Sequence, residues 1–117
     1  MHTTPLWNPA TLPELVGNNP ALHQRLIEKF LSTAECQVNT VLAAVADKVD
    51  TATIAAVAHT LKSNARSVGA LRLGALCQDL ENAGLAADNA SCRQLAAELV
   101  GAWTAARVAA SRPHCAL

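Results

Sequence analysis

One histidine stands out because of the side chains that surround it. Between Ile54 and Val68 the apolar residues recur at steps of three and four, which predicts an amphipathic helix. His59 points roughly 150° away from the centre of that apolar stripe, given the rotation of about 100° per residue in a helix. The pattern therefore places this imidazole on the exposed face and not in the core.

The neighbours of His59 on that face are small or cationic. The residues three and four positions to either side of it, and the one seven positions after it, share its helix face. They are Ala55, Ala56, Lys62, Ser63 and Arg66. Imidazole has an unperturbed pKa of about 6.5, so near neutral pH much of it is uncharged and can attack a phosphoryl group. Lys62 is predicted to reach the transferring oxygens, since this chemistry needs positioning and charge neutralisation. The alanines could instead reflect an alanine-rich composition.

The rest of such a phosphoryl-transfer site is missing from the sequence. It contains no G-x-x-x-x-G-K motif and no glycine-rich phosphate loop. Nine basic and nine acidic residues give zero net charge, which disfavours binding to nucleic acid or to an anionic membrane. No apolar run approaches the ~18 residues of a membrane span. A carboxylate and a metal ion would have to come from a partner protein, so we expect no cofactor and no metal in this chain.

The elements that must position His59 are predicted to be helices. The chain has 117 residues, enough for one core, and only 3% of them are aromatic, with no Tyr, which disfavours a sheet. Apolar periodicity and capping residues predict a short helix near 11–16 and long helices over about 20–48, 50–69, 70–85 and 89–111. The helix over 20–48 could also be two nearly collinear helices. We predict one all-α domain: a lead-in (1–19), an antiparallel four-helix bundle (20–111) and a tail (112–117).

The segment AVAHTLKSNARSVGALRLGALCQDLENAG resembles the histidine-containing phosphotransfer domain of bacterial phosphorelays. That family has a histidine followed by x-Leu-Lys-Gly, a glycine ten residues after the histidine, and then Leu, Cys and a Leu-Glu pair. The residues in register are His59, Leu61, Lys62, Gly69, Leu73, Cys77, Leu80 and Glu81. The segment NPATLPELVGNNPALHQRLIEKFL looks like the first two helices of the family.

The resemblance implies a role for each site residue. His59 would be phosphorylated, through Nε2, and Lys62 would stabilise the phosphorylated state. Glu81 would hydrogen-bond the other ring nitrogen and orient the imidazole. Ala55, Ala56, Ser63 and Arg66 would form the partner-docking surface. Ser63 stands where the family usually has glycine, and because serine is small we expect function to survive. The properties that this substitution bears on are the choice of partner and the transfer rate.

The function that the resemblance implies is that of a phosphoryl carrier without kinase activity of its own. It would accept the group on His59 from one receiver-domain aspartate and pass it to another, with Mg²⁺ bound by the receiver. Receiver domains, and a hybrid sensor kinase, are the expected partners, and we expect a cytoplasmic monomer, free-standing or part of a membrane sensor kinase. Two alternatives stay open at this point: the substrate domain of a chemotaxis-type kinase, and a docking bundle that is not phosphorylated.

Overall fold

A computed structural model describes residues 4–46 and 48–111. Within them lie the helices α1 (Thr11–Val16), α2 (Pro20–Ala44), α3 (Thr51–Val68), α4 (Leu71–Leu85) and α5 (Asn89–Ser111). The long helices α2 to α5 form the bundle, and α1 packs on α2 and α3. The described residues contain no strand, so the all-α prediction is confirmed. The predicted tail, 112–117, lies outside the described residues.

Side-chain caps begin three of the long helices. The Asn19 side chain accepts the N–H of Leu22 at the start of α2. Asp50 accepts both the N–H and the hydroxyl of Thr53 before α3, at 3.1 and 2.7 Å. Asp88 caps α5 through the same pair of contacts to Ser91. These caps satisfy amide groups that have no partner inside a helix, so the helix starts follow from local sequence.

The helix α2 ends at Ala44, several residues before the predicted end near Lys48. The N–H groups of Val45 and Ala46 bond to carbonyls three residues back, and the N–H of Asp50 bonds to the Ala44 carbonyl at 2.9 Å. This turn allows Val45 and Val49 to pack against the core. Tertiary packing and the cap of α3 therefore end a helix that the apolar periodicity would continue.

The core joins all the helices around a few large side chains. The ring of Phe30 on α2 makes edge contacts with Trp7, at 6.3 Å between centroids, and with Trp103 on α5, at 5.9 Å. Such contacts connect the N-terminal segment, α2 and α5. None of the described helices is long and apolar enough to cross a membrane.

Gly69 forms the corner between α3 and α4 and anchors the N-terminal segment. Its φ is +95°, and its carbonyl accepts the N–H of Asn8 at 2.8 Å. A Cβ at this position would lie 2.5 Å from the Asn8 carbonyl oxygen and 2.9 Å from the Thr11 hydroxyl. Only glycine therefore combines this backbone conformation with this close approach.

We expect Gly69→Ala to lower the free energy of unfolding by about 2 kcal/mol or more, because it adds both a left-handed alanine and a clash. Urea denaturation measures the change. Gly101→Ala is the matched control, since a Cβ there would meet nothing within 4 Å. In a helix that control should gain about 0.5–1 kcal/mol. A Gly69→Ala protein as stable as the control would show that the segment moves aside without cost.

Candidate functional site

His59 lies in the middle of α3 and faces solvent, with 62% of its side chain exposed. Its Nδ1 is 2.9 Å from Oε2 of Glu81 on α4. The helical periodicity predicted the exposure, and the resemblance predicted the contact with Glu81. One ring nitrogen is therefore held by the protein, and Nε2 is left for a reaction partner.

The Glu81 carboxylate binds two partners, one with each oxygen. Oε2 contacts His59, and Oε1 accepts the Lys62 ammonium at 2.7 Å. The hydrogen bond from Lys62 is the largest cause that lowers the pKa of Glu81; burial opposes it, and the hydrogen bond from His59 adds to it. An ionised carboxylate can only accept hydrogen bonds. The proton of a neutral His59 ring must therefore be on Nδ1, which leaves Nε2 with a free electron pair.

Lys62 is directed at α4, and only 13% of its side chain is exposed. Its ammonium donates to Glu81 and also to Oε1 of Gln78, at 2.9 Å. Gln78 in turn donates to Oδ1 of Asn82 at 3.0 Å. That Lys62 contacts a phosphoryl group stays a prediction, because its ammonium is bound by α4 here.

Gln78 was not identified as a site residue from the sequence, although its position three residues before Glu81 puts it on the same helix face.

Three of the four predicted docking residues are exposed around His59, namely Ala56, Ser63 and Arg66. The Ser63 hydroxyl donates to the His59 carbonyl at 3.4 Å. The placement of Ala55 on the docking surface is wrong, because Ala55 is only 6% exposed. It is covered by Gly84 of α4, where a Cβ would lie 2.9 Å from the Ala55 Cβ. Because Gly84 has no side chain, α4 packs directly on α3 at Ala55, a position that the sequence pattern placed on the exposed face.

The other groups that could take part in chemistry do not join the site. The Cys77 thiol is buried, and burial raises its pKa to about 12, so it is not a nucleophile near neutral pH. Cys36 and Cys92 are free thiols, and Cys115 lies outside the described residues. Within residues 4–46 and 48–111, no three His, Cys, Asp or Glu side chains cluster as metal ligands would. That the metal ion belongs to the partner stays a prediction.

Comparison with known proteins bears on the family and the fold of the chain. The family model described as the Hpt domain matches residues 25–108. The crystal structure of histidine-containing phosphotransfer protein B (HptB) from Pseudomonas aeruginosa PAO1 has the same fold, with a TM-score of 0.82 at 18% sequence identity. The match covers 94% of this chain and 95% of that chain. No curated protein sequence matches this chain significantly.

We expect Lys62→Met to raise the pKa of Glu81 toward its ordinary value of 4.5, since the Lys62 hydrogen bond is the main cause of the lowering. Side-chain carboxyl shifts in an NMR titration measure this pKa. Lys29→Met, at an exposed position on α2, is the control and should leave it unchanged.

The same pKa sets a dependence of stability on pH. The folded pKa lies below the unfolded one, so the contribution of Glu81 is present above the unfolded pKa and is lost as pH falls through the folded pKa. As the pH is lowered past about 5, the free energy of unfolding of the wild type should therefore decrease. The decrease should be smaller for Lys62→Met. An equal acid loss in both proteins would contradict this account of Glu81.

Proposed function

The chain belongs to the Hpt domain family, and we propose that it is a phosphoryl carrier of a phosphorelay with His59 as the residue that carries the group. The observation that supports this assignment best is the contact between His59 Nδ1 and Glu81. It fixes the tautomer in which Nε2, the exposed nitrogen, has the free electron pair. The partner that fits this reaction is a receiver domain phosphorylated on aspartate.

The transfer step follows from this arrangement. The Nε2 electron pair of His59 attacks the phosphorus of the aspartyl phosphate, and the N–P bond forms as the P–O bond to the aspartate breaks. The aspartate leaves as a carboxylate with the bond's electron pair. In the reverse step, the carboxylate of a second receiver aspartate attacks the phosphorus. The new P–O bond forms as the N–P bond breaks, and the imidazole leaves with that bond's electron pair as a neutral ring. The chain is regenerated unchanged, as a carrier requires.

Glu81 acts on the charge of the ring during this step. The neutral imidazole keeps its Nδ1 proton as Nε2 bonds to phosphorus, so the ring becomes positively charged. The Glu81 carboxylate, 2.9 Å away, stabilises that charge as it develops. Lys62 keeps the carboxylate ionised, so it acts through Glu81 as a positioning residue.

The exposed surface around His59 suits a partner that brings the remaining groups. Ala56 and Ser63 are exposed one turn on either side of the ring and leave the approach to Nε2 unobstructed. A receiver domain would supply the aspartate, and with it the divalent metal ion that neutralises the phosphoryl oxygens. We further propose that the carrier chain acts as a monomer in the cytoplasm.

We expect the purified chain to take up phosphate from phosphorylated receiver domains, and His59→Gln to take up none. The product should be acid-labile and base-stable, as a phosphohistidine is. His23→Gln is the matched control, because His23 is at the start of α2, where its Nε2 donates to the Gly17 carbonyl. Uptake without ATP also distinguishes a carrier from a kinase substrate. Equal uptake by His59→Gln, or none by the wild type across a broad receiver panel, would refute the assignment.

We expect Glu81→Ala to slow phosphate transfer on the order of tenfold, because the imidazole loses its orientation and the ring charge its partner. Glu81→Gln should be slowed less, since its amide oxygen still accepts the Nδ1 hydrogen bond. Rapid-quench transfer from a phosphorylated receiver measures both rates, and circular dichroism checks the fold. If Gln were as slow as Ala, the negative charge and not the hydrogen bond would be the important feature.

A further inference from the structure

The facing surfaces of α3 and α4 meet in three successive contacts, which we call the α3–α4 seam. Their positions advance by three and then four residues along α3, and step back by the same amounts along α4. The three contacts are His59 with Glu81, Lys62 with Gln78, and Arg66 with Gly74. The first two are hydrogen bonds that belong to the site described above. The third has no part in the proposed transfer step.

The Arg66 side chain lies across the surface of Gly74. A Cβ placed on Gly74 would be 3.1 Å from Cγ of Arg66, 3.5 Å from its Nε and 3.8 Å from its Cδ. These are the three nearest heavy atoms, and all of them belong to Arg66. Gly74 is buried, and this stem lies over it. Any side chain at position 74 would therefore displace the arginine first.

The two cations of the seam differ in how their charge is used. The Lys62 ammonium is bound by Glu81 and Gln78. Arg66 is exposed, and within the described part of the chain it forms no ion pair or hydrogen bond through its guanidinium. Its stem lies against Gly74, and its charge is available to another molecule.

The spacing along α3 decides what that charge can bind. Arg66 follows His59 by seven residues, which is two turns on the same face and about 10 Å along the axis. Its stem lies against Gly74 on α4, which is likewise seven positions from Glu81, the residue that binds the His59 ring. A phosphoryl group on Nε2 is thus two turns of helix away from this contact. A planar guanidinium pairs best with a carboxylate, which it can bind through two parallel hydrogen bonds.

We propose that Gly74 is a positioning residue that holds Arg66 ready to bind an acidic side chain of the docked receiver domain. The inference rests on the proposed function, since it assumes that a receiver docks over His59. A free arginine loses rotamer freedom when it binds, and here much of that loss has already occurred on folding. The glycine thus increases affinity for the partner without touching it.

The test measures the dissociation constant for a receiver domain that exchanges phosphate with the wild-type chain, at low and at high salt. The series is Gly74→Ala, Gly74→Leu, Arg66→Gln, and the controls Gly101→Ala and Gly101→Leu. We expect Arg66→Gln and Gly74→Leu to weaken binding about threefold to fivefold at low salt, as loss of one exposed ion pair would. Gly74→Ala should have a smaller effect and the controls none. The differences should vanish at high salt, which screens exposed charges.

A double variant separates positioning from a merely structural role. In the Arg66→Gln background, Gly74→Leu should have no further effect, because no cation remains to be displaced. An equal weakening in both backgrounds, or an Arg66→Gln protein that binds like the wild type, would overturn the inference. The Arg66→Gln result stands even if Gly74→Leu does not fold.

The outcomes also distinguish this inference from the proposed function. If the wild type exchanges phosphate and all variants bind alike, the carrier assignment stands and the role of Gly74 fails. If the wild type exchanges phosphate with no receiver, both fail together.

Discussion

The Glu81 carboxylate connects the two other polar groups on which the proposed reaction depends, the His59 ring and the Lys62 ammonium. Each of its oxygens has one partner, and only 15% of its side chain is exposed. A carboxylate in such a place is stable as an anion only when hydrogen bonds replace the water it has lost. Lys62 and His59 supply those bonds. The same two bonds hold the lysine ammonium in position and place the proton of the neutral imidazole on Nδ1. Removal of either Lys62 or His59 would take from Glu81 a hydrogen bond that lowers its pKa.

This arrangement depends on how closely α3 and α4 approach each other. Gly69 turns the chain between them, and Gly84 admits Ala55 and the Thr51 carbonyl at the far end, where a Cβ would lie within 3 Å of both. The two helices therefore run close together along the whole length between these glycines. Side chains of ordinary length can then meet across them, as Lys62 and Gln78 do.

Much of this structure could be predicted from local patterns. Apolar periodicity and capping residues define α3 to α5, and the wheel position of His59 follows from the same stripe. The pairing of His59 with Glu81 could be inferred only from the family resemblance, since the two residues are 22 positions apart. Three features could not be predicted in this way: the end of α2 at Ala44, the burial of Ala55, and the hydrogen bond that Gln78 accepts from Lys62. Each of them depends on residues of another helix or of a connecting turn. Periodicity within one helix contains no information about those neighbours.

The short corner at Gly69 has a consequence for the way the protein folds. The two hydrogen bonds of the seam join residues that are 22 and 16 positions apart, so the loops they close are short for a tertiary contact. Short loops cost little chain entropy to close, and folding rates increase as contacts become more local. The helical hairpin of α3 and α4 therefore closes at little cost in chain entropy. The contacts that hold the reactive histidine form within this one local unit of the fold and need no contact with α2 or α5.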